Sequence, residues 1–165
     1  MRMNTGGQAK GRLPGFTLIE LIIVITIIGV LAAVAMPRFV AMQRDARLAK
    51  AQAIYGVIKA AGILAKLRCE LDIEQGISGQ CTSAAGQVLM DGTNIVMVNR
   101  YPAASALGID LAAQLSVAEA LTISGSNPRI FQVNGATTPS TCQVTYTEAA
   151  APGYGPTLML YTAGC

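Results

Sequence analysis

The sequence predicts an α+β protein in which a long amino-terminal helix, apolar in its first half, packs on a small antiparallel β-sheet head. Three observations lead to that class. From Phe16 to Met36 only Thr17, Glu20, Thr26 and Gly29 interrupt an otherwise apolar run. Farther on, Leu48, Ala51, Tyr55 and Ile58 recur at intervals of three and four, the period of one buried helical face. Beyond Cys69, short β-prone runs are separated by Gly, Pro, Ser and Thr. Among these, Asp91-Gly92 between Val88-Leu89-Met90 and Thr93 to Val98 is the strongest hairpin signal, because both turn residues tolerate positive φ.

The elements follow in chain order. Leu18 to Met36 is long enough to cross a bilayer, since ~20 apolar helical residues cover its hydrocarbon core. After Pro37 the composition changes abruptly, with Arg38, Arg44, Asp45, Arg47, Lys50, Lys59, Lys66 and Arg68 set among Ala, Ile, Leu and Val. This run reads as a solvated or subunit-contacting face. Gly56 and Gly62 weaken the helix without stopping it, and Gly76 and Gly79 mark a loop. One nearly continuous helix from about Phe16 to Arg68 is expected, ~80 Å long at 1.5 Å per residue. Asp110 to Leu121 has an alanine-rich helical character with Asp110 as its cap. Arg129 to Val133, Cys142 to Thr147 and Pro156 to Thr162 read as three strands.

With 165 residues the chain supports one head domain and not two. Hydrophobic residues make up 52% and mean hydropathy is +0.47, an excess concentrated in the apolar run. The net charge of +3 is also local. Arg2, Lys10 and Arg12 precede Phe16 with no acid among them, and without them nine bases face nine acids. Positive residues flanking a span tend to stay cytoplasmic, so this charge reads as topology and not as a nucleic-acid footprint. The chain contains no histidine, the commonest general base and metal ligand. Ser83, Ser124 and Ser140 therefore lack an activating partner, no paired-carboxylate or phosphate-loop pattern occurs, and no catalysis, cofactor or metal is expected. Cys69, Cys81, Cys142 and Cys165 form no CxxC or zinc-like spacing and suggest two disulfides made in an oxidising compartment. Four cysteines allow three pairings. Cys69 with Cys81 would staple the helix end to the next loop, and Cys142 with Cys165 would close the last two strands.

The amino-terminal segment admits three readings. A signal peptide accounts for the basic start and for Ala33-Val34-Ala35, but the apolar stretch exceeds the usual ~7–15 residues and carries a carboxylate. A plain transmembrane anchor gives Glu20 no purpose. The third reading rests on Leu13-Pro14-Gly15-Phe16-Thr17-Leu18-Ile19-Glu20-Leu21, which resembles the processing site of type IV prepilins. A short basic leader ends in glycine, phenylalanine follows, a glutamate stands at the fifth mature position, and Pro37 matches the proline near mature position 22.

The resemblance implies a type IV pilin fold and a division into leader 1–15, transmembrane or filament-core helix 16–37, and helix continuation with head 38–165. It implies cleavage between Gly15 and Phe16 by a prepilin peptidase, with methylation of the Phe16 amine. A charge within a membrane span costs about 2.5–3.5 kcal/mol and usually marks function. Pairing of Glu20 with the Phe16 amine of an adjacent subunit would offset that cost and set the axial register. Gly29 and Pro37 are the expected places for the helix to bend or locally melt. Cys142 with Cys165 resembles the carboxy-terminal disulfide-bounded region of these pilins. The expected partners are further copies in a filament, the inner-membrane assembly machinery and the membrane itself before assembly. The expected location is the inner membrane, then an extracellular pilus serving attachment or motility. Pro37-Arg38-Phe39, Asp45-Ala46-Arg47, Tyr101-Pro102-Ala103-Ala104 before Gly108-Ile109, and Cys142 to Ala149 are similar to the mannose-sensitive haemagglutinin pilins, which do not lead one to expect Cys69 and Cys81. A minor pilin or a type II secretion pseudopilin is the alternative; Glu148 alone near the terminus is sparse for the calcium loop of major pseudopilins.

Overall fold

The computed structural model describes residues 15–77, 80–117 and 120–165; the leader up to residue 14, and Gly79 of the expected loop, lie outside them. The element order is α1 (Leu18–Glu74), β1 (Ala85–Met90), β2 (Thr93–Val98), β3 (Tyr101–Pro102), a π-helical turn (Ala106–Asp110), β4 (Leu121–Ser124), β5 (Arg129–Val133), a 3-10 turn (Pro139–Thr141), β6 (Gln143–Thr147) and β7 (Thr157–Tyr161). Contacts divide the chain into Met1–Ala41 and Met42–Cys165. The first unit contains the apolar start of α1, helical through Gly29 and Pro37.

In the second unit α1 presents Ala51, Ile54, Ile58, Ala61, Ala65 and Cys69 to the core, at steps of three and four. Three of these are alanine, and short side chains let the helix approach the sheets closely. Ile58 is fully buried among Phe131, Val144 and Tyr146, and a second cluster joins Ala65 and Cys69 to Val88, Ile95 and Met97. The helix continues past Arg68 to Glu74 because its stop is Gly76. At φ +65° that glycine occupies the left-handed position, while the amides of Gly76 and Ile77 donate to the carbonyls of Ile73 and Asp72. These two bonds satisfy carbonyls that a helix end leaves open.

The head has two antiparallel sheets where the sequence suggested one. The first is β1-β2-β3, with Val88 opposite Ile95 and the Asp91-Gly92 turn at its tip. The second is the meander β4-β5-β6-β7, with Phe131 opposite Val144 and Val144 opposite Leu160. Strand β4 has no counterpart in the sequence reading. Its residues Leu121–Ser124 alternate only weakly and follow an alanine-rich stretch, so local propensity hides it.

The helix expected over Asp110 to Leu121 is corrected. Helical structure instead begins at Ala106, and Asp110 ends the π-helical turn and caps nothing. Gln114 takes φ +53°, and Leu115 and Gln114 donate back to the carbonyls of Asp110 and Leu111, the same closing pattern as at Gly76. Alanine propensity there is overridden by tertiary demand: the Asp110 side chain is held by β5, and Leu121 is needed as the first residue of β4.

Candidate functional site

Residues 15–17 are exposed and lie outside any helix or strand ahead of α1, so the peptide bond between Gly15 and Phe16 lies in non-helical backbone. Phe16 is 78% exposed, and no atom would hinder a side chain at Gly15. The helix starts where it does because the Glu20 amide donates to Thr17 Oγ1 at 3.3 Å. Thr17-Leu18-Ile19-Glu20 thus has the Ser/Thr-x-x-Glu spacing of a capping box, in which the first hydroxyl satisfies an orphan amide of the first turn. This was legible in the sequence and was missed there. It gives Glu20 a second physical reason for its position, since a carboxylate in the first helical turn meets the positive end of the helix dipole.

From Leu21 to Met36 the helix is apolar on every side apart from Thr26. Among the described residues this is one helix long and apolar enough to cross a membrane, and none of that window is buried. Thr26 does not disturb the segment, because its hydroxyl donates to the Ile23 carbonyl at 2.8 Å and is satisfied within the helix. Gly29, Ala32, Ala33, Met36, Pro37 and Val40 line a shallow groove on one side.

The head is closed by covalent and polar ties. Cys69 is bonded to Cys81, and Cys142 to Cys165. The first bridge joins α1 to the segment before β1, where Gly86 at φ +139° lets the backbone pass against Gln80 and Cys81. The second joins the start of β6 to the last residue, whose carbonyl also accepts from Arg47 Nε of α1 at 2.7 Å. Four further contacts connect the elements around the sheets. Tyr146 donates to the Pro102 carbonyl at 2.7 Å, Asn99 Nδ2 to the Ala149 carbonyl at 2.7 Å, and the Ala104 amide to Glu148 Oε2 at 2.9 Å. Arg129 grips Asp110 with Nη2 at 2.6 Å and Nε at 3.1 Å, while Nη1 donates to the Gly125 carbonyl. The hydrogen bond to Asp110 raises the pKa of the guanidinium, and burial raises that of the Tyr146 phenol.

A cleft of about 360 Å³ beside α1 is lined by Tyr55, Ile58, Lys59, Tyr101, Tyr146 and Leu158 among others. Lys66 lies 5.4 Å from the centre of the Tyr101 ring, and its pKa is raised chiefly by that side chain. Among the described residues there is no cluster of three or more His, Cys, Asp or Glu arranged to hold a metal.

The exposed, capped and apolar amino-terminal segment is thus the part of the chain whose chemistry points outward. Residues 14–36 match the family described as the prokaryotic N-terminal methylation motif. In this segment the chain is similar to type IV pilins. A relative from Thermus thermophilus, the "Type IV narrow pilus major component PilA5", is 44% identical over 59 residues. That match covers 36% of this chain and 51% of the relative, so the chain spans about half the length of the curated relative it matches. No solved structure matches significantly. The helix followed by antiparallel sheets is consistent with the α+β fold of type IV pilins.

Proposed function

We propose that this chain is a type IV pilin, a structural subunit of an extracellular pilus, made as a membrane-anchored precursor, cut between Gly15 and Phe16, methylated at Phe16 and polymerised. The observation that carries the reading is the methylation motif at residues 14–36, whose residues 15–17 are exposed and non-helical and lead directly into an apolar helix. Once cut, the chain begins with an amine four residues before Glu20, and the two opposite charges sit at the start of a helix with no apolar partner of its own. Packing of such helices side by side buries the apolar surface, and pairing of amine with carboxylate between copies offsets the desolvation of both. Gly29 and Pro37 are the points at which the helix adjusts as it passes from lipid to filament.

In this reading the leader 1–15, the core helix 16–37 and the head with its helix continuation 38–165 have separate tasks: topology, assembly and surface identity. The prepilin peptidase and an inner-membrane assembly machine are the expected partners. A major subunit of an attachment filament, with the segments similar to mannose-sensitive haemagglutinin pilins, is the specific form of the proposal. The name of the Thermus relative, a major pilus component, supports the major over the minor role. The test is shearing of the cell surface followed by electrophoresis and electron microscopy. A dominant band of this chain in filaments that vanish on deletion of its gene supports the reading; a chain found only in membranes contradicts it.

A further inference from the structure

The part of α1 that belongs to the head carries two apolar stripes. One is the buried face of Ala51, Ile58 and Ala65 described above. The other lies roughly 140° away around the helix, at 100° per residue, and nothing among the described residues covers it. Its upper part is a ridge of Leu64, Leu67 and Leu71, which are 57%, 51% and 49% exposed. Its lower part is a flat strip of Ala46, Ala49 and Ala53, all exposed. Both triads have spacing three then four, and each leucine stands 18 residues after an alanine. At 3.6 residues per turn, 18 residues make five turns, so the ridge and the flat strip point in one direction, about 27 Å apart along the axis.

We propose that the leucine ridge of one copy seats on the alanine strip of a second copy, with the two helices parallel and displaced by about 27 Å. The inference rests on the filament reading above and names a contact within it. Three features commit the surface to a second copy. The triads match in spacing only when the helices run parallel; antiparallel, three-then-four meets four-then-three. The shapes are complementary, since bulky side chains meet short ones that let the backbones approach. The contact is also heterologous, so each copy offers its ridge to one neighbour and its strip to another, and such contacts propagate into filaments when they do not close into rings. Charge does not select the register. Lys50 comes level with Arg68, whose charge is offset by Asp72 at 3.1 Å. Each contact covers a small fraction of the ~800 Å² per partner of a stable interface, so it acts together with the amino-terminal segments and not alone.

The test is a size exchange across the contact in the full-length chain, expressed in cells lacking the native gene. Ala49→Leu should lower sheared filament yield by about tenfold or more, because overpacking a fitted surface is costly. Leu67→Ala added to Ala49→Leu should restore yield to within about threefold of wild type. A photo-reactive benzoylphenylalanine at position 67 should cross-link to residues around Ala49 of another copy. Full yield from Ala49→Leu, a double variant no better than the single, or cross-links that map elsewhere would overturn the proposed contact. Should a substitution lower the melting temperature of the head, the cross-link decides. Absence of filaments from the unmodified chain would instead overturn the filament reading itself.

Discussion

Asp110 and Arg129 provide the sharpest energetic prediction for the head. The carboxylate side chain is 9% exposed and the guanidinium side chain 16%, and the two meet at 2.6 Å through Nη2 and at 3.1 Å through Nε. They join the π-helical turn to the β4-β5 hairpin, which no disulfide constrains directly. Removing one partner leaves the other charge buried, which costs about 3–5 kcal/mol when burial is complete. Arg129 keeps the Gly125 carbonyl at 2.6 Å, so Asp110→Ala should fall near the lower limit, about 3 kcal/mol. For a domain of this size that lowers the melting temperature by roughly 10 °C. The double variant Asp110→Ala/Arg129→Ala should cost less than the sum of the singles by about 2 kcal/mol, the coupling of a buried pair. Chemical denaturation of the detergent-solubilised chain with its disulfides intact measures all four corners of the cycle. A loss below about 1 kcal/mol for Asp110→Ala, or strict additivity, would refute the claim that this pair locks the hairpin.

The remaining predictions concern other parts of the chain. Tyr146→Phe removes the hydrogen bond to the Pro102 carbonyl and should cost about 1–2 kcal/mol, read by thermal melting. Burial raises the folded phenol pKa, so folding favours the neutral form. That contribution is present in full below the ordinary value of about 10 and is lost as pH climbs from there toward the raised folded value. Stability of the wild type should therefore fall with rising pH in that window more steeply than stability of Tyr146→Phe. Replacing Cys142 and Cys165 together by serine should cost about 3 kcal/mol on the loop-closure account, read by comparing melts of the oxidised parent and the variant. Glu20→Gln should leave membrane insertion intact and reduce sheared filaments to a small fraction; normal yield would remove the assembly role of that carboxylate.

Much of this arrangement is written locally in the sequence. The apolar run, the Asp91-Gly92 hairpin and the strands at Arg129, Gln143 and Thr157 have strong local signals because one face or one turn dictates them. The role of Asp110 is not legible locally because it is set by Arg129, nineteen residues away and in another element. The same holds for Ile54, which faces the core although Tyr55 fits the period nearly as well. The stop at Gly76 needed a backbone conformation, not a propensity. In the amino-terminal segment the reverse is true. Its residues were read from their pattern, and the structure added the Thr17 cap that explains why the helix begins at Leu18.

The central claim is that the chain is cut before Phe16 and that the cut form enters a filament. Amino-terminal sequencing and intact-mass measurement of sheared surface filaments test this most directly. The account predicts a chain that starts at Phe16, bears one added methyl group on its amine and has lost residues 1–15. A surface chain that still begins at Met1, or one cut after Ala33-Val34-Ala35 and so lacking the apolar helix, would contradict it.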